Sequence, residues 1–124
     1  MKAFHAKAFV ALALCVPLQL AAHHSWPISR EKLVTVKGTV VNIEWANPHP
    51  MFTIAVPTAN GGTEKWQIGG PAISRMEANG WTRNTIKEGD VVTGIGYQFS
   101  DGQKIVRLER VLLPDGKTLG VYGR

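Results

Sequence analysis

Cysteine occurs once in the 124 residues, as Cys15. A lone cysteine excludes an intramolecular disulfide framework and any thiolate zinc cluster. Runs of one charge are also missing. The formal net charge is +5, but acidic and basic residues alternate in "SREKL", "RLER" and "IKEGD". No stretch has the clustered lysines and arginines that mark a nucleic-acid patch. A membrane span needs about 20 consecutive apolar residues, and no segment reaches that length. Histidine is sparse too, at four residues.

The first 22 residues have a different composition from the rest. Lys2 and Lys7 precede the apolar run Phe9–Val16, which continues through Pro17 to Leu20 with only Gln19 polar. Leu20-Ala21-Ala22 then places small or aliphatic residues where signal peptidase reads, so residues 1–22 are expected to be a cleaved secretory signal peptide. An alternative is lipid attachment at Cys15, but Leu14 is bulky for the residue before a lipobox cysteine. Cleavage after Ala22 removes Cys15, Lys2 and Lys7. It leaves residues 23–124 as a single domain with 12 basic and 9 acidic side chains. The expected location is periplasmic or secreted, with no membrane span after cleavage.

The remainder reads as strands. "LVTVKGTVVNIEW", 33–45, holds Val34, Val36 and Val40 in one phase and Val41, Ile43 and Trp45 in the other. A phase switch beside Gly38 predicts a bulge or coil in one long strand. Strands are also predicted at 51–57, 63–69, 91–99 and 104–113, separated by "TANGG", "KEGD" and "SDGQ" turns. Between the third and fourth, Pro71, the three-residue spacing of Ile73 and Met76, and Asn79-Gly80 predict a short helix over 71–79. The expected core is Val36, Val40, Ile43, Ile54, Trp66, Ile68, Val92 and Leu108. Three strands, a helix and two strands is the order of an OB-fold, a five-stranded partly open barrel. The fold class is thus all-β with one short helix; a β-sandwich is the alternative.

"AHHSW", "GTVVNIEWANPHP", "KWQIGGP", "NGWTRNTIKEGDVV", "SDGQK" and "LLPDGK" together resemble the bacterial exported family called domain of unknown function 6152. The resemblance runs over nearly the whole of 23–124, with Trp26 where phenylalanine is expected. It implies a small exported OB-like β protein and supplies no activity.

Candidate chemistry centres on three histidines. His23 and His24 follow the expected cleavage site, and His49 lies in "ANPHP" between the first two strands. Pro48 and Pro50 disfavour helical conformation at Asn47 and His49 and cannot donate to a ladder. This predicts a stiff, exposed loop on the side where OB-folds bind ligands. Cleavage gives His23 a free α-amine beside its imidazole. With His49, or His24, it forms a nitrogen set suited to copper(II). Its ligand types look like those of the histidine brace of some exported copper proteins. The opposing reading makes "NPHP" a rigid turn and the histidines structural. The protein then binds a small ligand, glycan or envelope protein through its barrel face. Trp26 and Asn47 are candidate residues of that face. Trp45 and Trp66 are assigned to the core, and Trp81 to holding the helix on the barrel.

Catalysis has little support. Ser25, Ser29, Ser74 and Ser100 lie in no nucleophile motif. "GIG" and "NGG" lack phosphate-loop spacing. Glu44 and Asp90 read as a solvated strand residue and a turn residue. The sequence favours a binding protein over an enzyme and predicts no nucleic-acid partner.

Overall fold

The computed structural model describes residues 26–122. The expected signal peptide, Cys15, His23 and His24 lie outside those residues. Six strands and one helix follow in the order β1 (Ile28–Glu44), β2 (Met51–Pro57), β3 (Thr63–Gly69), α1 (Ile73–Ala78), β4 (Val91–Phe99), β5 (Ile105–Leu112) and β6 (Thr118–Gly120). The sheet order is β3-β2-β1-β4-β5-β6, and β3 also pairs with β5. That last pairing is parallel, Gln67 to Ile105 through Gly69 to Arg107, and it closes the first five strands into a barrel. All other pairings are antiparallel. The strand order and the helix between β3 and β4 are those of an OB-fold.

The 17-residue β1 makes closure possible. Its first part, Ile28 to Thr39, pairs with β4, and its last part, Thr39 to Glu44, pairs with β2. Such a strand must turn a corner, and two local features let it do so. A Cβ at Gly38 would overlap the carbonyl of Ala55, so only glycine lets β2 approach there. The register then shifts between Val40 and Asn42. A bulge of this kind adds twist and reverses which side chains face inward. Val36 and Val40 are buried before it and Val41 is exposed within it. Ile43 and Trp45 pack against the core beyond it. The phase switch expected beside Gly38 is real, but the bulge itself falls at Val41.

The core is built from both halves. Val36, Val40, Phe52, Ile54, Ile68, Val92, Val106, Leu108 and Val111 come from the strands, while Met76, Trp81, Ile86 and Val121 come from the helix and connections. Gly94 lies on the inward phase of β4, where the side chain of Ile68 fills the space a Cβ would need. Trp81 is 1% exposed, lies 6.0 Å from the Phe52 ring, and donates its indole N–H to the Gly120 carbonyl at 2.8 Å. It therefore holds the helix end and the C-terminal strand to the barrel.

Two expectations need correction. Trp66 and Ile43 are half-buried at the margin rather than core. Trp66 donates to Glu64 Oε1 at 2.9 Å, a partner at the barrel surface, so the polar edge of its ring stays outside. The helix is shorter than 71–79, with Ala72 at its N-cap. "PDGK" ends β5. It is a turn, closed by Leu113 N–H to the Lys117 carbonyl at 2.8 Å, that leads into β6.

Candidate functional site

The loop from Trp45 to Pro50 does not stand out as a free arm. Its Asn47–Pro48 peptide is cis. Asn47 and Pro48 are exposed, His49 is half-buried and Pro50 is buried. Two contacts fold the loop back onto the connection after β3. Gly70 N–H donates to the Pro50 carbonyl at 2.9 Å. Asn47 Oδ1 accepts from the Ile73 N–H at 3.0 Å. The first N–H groups of a helix lack intrahelical partners, and Ala72 offers no side chain to cap them. Asn47 serves α1 from 26 residues away, which gives it a structural task, and its side chain remains exposed.

Both ring nitrogens of His49 are engaged. Nδ1 lies 3.1 Å from the Gly70 carbonyl oxygen, and Nε2 accepts the indole N–H of Trp26 at 3.0 Å. A carbonyl only accepts and an indole N–H only donates. The pair of bonds therefore fixes the neutral imidazole with its proton on Nδ1. The two rings meet edge to face at 4.7 Å, and Trp26 meets Phe99 in the same manner at 5.4 Å. Such arrangements match positive ring edges to negative faces. A Cβ on Gly69 would overlap the Trp26 ring, so the indole lies directly over the β3 backbone. The next residue is tied down too: the Pro27 carbonyl accepts from Ser100 N–H at 2.7 Å and Ser100 Oγ at 2.9 Å. The N-terminal end of the described chain is thus fastened across the mouth between the β1–β2 and β4–β5 loops.

The Trp26–His49 pair forms a wall with a groove on each side. One groove, of about 690 Å³, is bordered by Arg30, Pro71, Arg107 and Tyr122. The other, of about 470 Å³, is bordered by Pro27, Met51, Phe99 and Ile105 and is the more apolar in character. Sequence reasoning found Trp26 and His49 but missed Arg107, Tyr97, Tyr122 and Phe99. Strand alternation places Tyr97, Phe99 and Arg107 on the outward phase, and the "SDGQ" hairpin sets Tyr97 opposite Arg107, but no local signal joins them to Trp26 or Tyr122.

His49 is the sole histidine among the described residues, and those residues contain no cluster of three histidine, cysteine, aspartate or glutamate side chains. His49 binds a metal through Nε2 only if the Trp26 indole releases it. Of the other residues weighed from the sequence, Glu44 is an exposed strand residue, and Asp90 accepts the Lys87 N–H at 3.0 Å within its turn. No described helix is long and apolar enough to cross a membrane.

Comparison with solved structures finds similarity to three structures of TiaS. The ZRD-deleted mutant of TiaS in complex with agmatine is 15% identical, with a TM-score of 0.48 over 66% of this chain and 21% of that one. Apo TiaS, a tRNA agmatidine synthetase, is 17% identical, with a TM-score of 0.48 over 66% of this chain and 18% of that one. The complex of TiaS with tRNA and ATP is 15% identical, with a TM-score of 0.47 over 74% of this chain and 20% of that one. The chain thus spans less than a quarter of each. No curated protein matches. A family model, described as a family of unknown function (DUF6152), matches residues 11–107, and the chain belongs to that family.

Proposed function

We propose that this protein is exported and works as a binding module of the cell envelope, with the Trp26–His49 wall at the centre of its binding face. Export rests on the basic start, the apolar run and the small residues ending at Ala22. The observation that carries the binding reading is the Trp26–His49 hydrogen bond. It fixes an aromatic side chain and an imidazole at the loop end of the barrel, between two grooves. OB-folds bind their ligands at this end, through the β1–β2 and β4–β5 loops and the neighbouring strands. The face is held by ring packing and backbone contacts, so it is formed before a ligand arrives, which limits the entropic cost of binding. NMR tests this: on titration with envelope fractions or small-ligand panels, the Trp26 indole and His49 ring signals should shift first. Binding that leaves both unmoved places the face elsewhere and removes the reading.

Copper(II) binding is the second reading, favoured by one specific observation. His23 precedes Trp26 by three residues, and three residues span at most about 11 Å. The anchoring of Trp26 on His49 supports this reading, because a segment of that length is long enough to join a His23 amine to the His49 ring. The amine and imidazole of His23 with the imidazole of His49, or of His24, supply nitrogen donors that suit copper(II). The amine must lose a proton, from a pKa of about 7.7–8.0, so affinity falls as pH drops. Calorimetry and electron paramagnetic resonance on protein beginning at His23 test it. One added N-terminal residue and His49→Ala should each weaken binding. Equal affinity in all three forms ends the copper reading and leaves the binding-face reading intact.

A further inference from the structure

We infer that the groove on the Arg107 side of the wall is a site for a small organic anion, a carboxylate carried on a flat apolar body. This rests on the binding-face reading and names its ligand class.

Arg107 lies between two aromatic rings, 5.7 Å from the centroid of Tyr97 and 5.2 Å from that of Tyr122. Its side chain is 16% exposed, and Nη2 donates to Glu109 Oε1 at 2.5 Å. Its Nε is closed to solvent and has no hydrogen-bond partner among the described residues. A guanidinium carries five N–H donors. One carboxylate does not fill five donors, and since Nε is closed to solvent an added anion reaches only the terminal nitrogens. Two more arginines gather nearby. Arg30 borders the same groove. Arg75, on α1, lies 5.7 Å from the Tyr122 ring. Arg30 and Arg107 thus bring two guanidinium groups to the groove, with Glu109 as the acidic partner of the second.

The opposite wall sets the rest of the ligand. Trp26, Pro48 and Pro71 line it with apolar ring surface. Arginine recognises carboxylate and phosphate through forked hydrogen bonds, so charge alone selects an oxyanion. The apolar wall adds a preference for an organic body that can lie against indole and proline. In the bound state the carboxylate joins Glu109 at the Arg107 guanidinium, Arg30 closes on it from the rim, and the body lies along Trp26.

The test is an NMR titration of the mature chain with benzoate, acetate, inorganic phosphate and benzyl alcohol. Benzoate should shift the Trp26 indole signal saturably. Acetate, phosphate and benzyl alcohol should each bind at least about tenfold more weakly, since each lacks the body or the charge. Arg107→Gln should weaken benzoate by about tenfold or more, and Arg30→Gln by a few-fold. Circular dichroism checks that Arg107→Gln still folds. Arg30 is exposed, so Arg30→Gln keeps the test open if it does not. Unchanged benzoate affinity in folded Arg107→Gln, or in Arg30→Gln should Arg107→Gln fail to fold, overturns the site. Benzyl alcohol as strong as benzoate overturns the anion and leaves the binding face standing. Phosphate as strong as benzoate overturns the organic body. No shift at Trp26 with any of the four overturns the anion site, and the binding-face reading falls only if the ligand panels also leave Trp26 unmoved.

Discussion

Replacing Trp26 by phenylalanine isolates the one bond on which the site depends. Phenylalanine keeps an aromatic ring over Gly69 and beside Phe99, but it removes the indole N–H that His49 Nε2 accepts at 3.0 Å. A hydrogen bond of this kind contributes roughly 0.5–1.5 kcal/mol net. His49 is half-buried, so water reaches the freed nitrogen in part, which argues against a larger penalty. The lost ring area and the changed edge-to-face contacts add some tenths of a kcal/mol. The expected total is about 1–2 kcal/mol. For a domain of this size each kcal/mol moves the melting temperature by about 4–8 °C. Urea unfolding should show a lower midpoint with an unchanged slope. Nitrogen NMR of the His49 ring should show the Nδ1–H tautomer in the parent and a mixture in the variant. An unchanged midpoint together with an unchanged tautomer would refute the arrangement, since the indole could not then be on Nε2. If copper(II) binds as the second reading has it, the same change frees Nε2 and should raise copper affinity.

The two core-directed tryptophans should behave differently. Trp81→Ala should cost about 3–5 kcal/mol, because it empties a buried site and strands the Gly120 carbonyl. Trp66→Ala should cost about half as much or less in the same denaturation series, since its ring lies half outside. Gly69→Ala should push the Trp26 ring off β3, and the Trp26–His49 contact should vanish from nuclear Overhauser spectra while the barrel stays folded. The Glu64 carboxyl is held below its usual range by its hydrogen bond to Lys104 first and to the Trp66 indole second. Its folded value is depressed, so its stabilisation is complete above the unfolded carboxylate value, near pH ~4.3, and is lost as pH falls through the folded value. Melting temperature against pH should therefore fall less steeply on the acid side in Glu64→Gln. Asp101, lowered by its hydrogen bonds to Gln103, should retain its own share of that slope. N-terminal sequencing of the exported protein should read His-His-Ser-Trp; a start at Cys15 or at Met1 would remove the free amine on which copper(II) depends.

Strand period, turn residues and a short three-residue spacing were enough to place the barrel's elements in order. These are local signals: alternation decides which side of a strand is apolar, and glycine, asparagine and aspartate decide where the chain reverses. They also showed that β1 changes phase, because a bulge leaves its mark in the sequence as two apolar registers in one run. They did not show β6, whose three residues are too few to establish a period. Nor did they show that Trp66 keeps its polar edge outside, since alternation distinguishes two faces but not depth beneath one of them. The family resemblance likewise came from local motifs, and the matching family model bears it out.

The site divides along the same line. Local neighbours marked His49 and Trp26: two prolines stiffen the loop around His49, and Trp26 lies beside His23 and His24 in sequence. What these groups do depended on partners 21 to 26 residues away. Trp26 lies on His49, His49 on the Gly70 carbonyl, and Asn47 on the first turn of α1. Arg107, Tyr97 and Tyr122 come from two strands and the segment after β6. Hairpin register sets Tyr97 opposite Arg107, and tertiary packing brings Trp26, His49, Asn47 and Tyr122 to their partners. A hydrogen bond or a ring contact requires separations of a few ångströms, and the spacing of residues along one strand carries no information about which residue of another strand will stand at that distance.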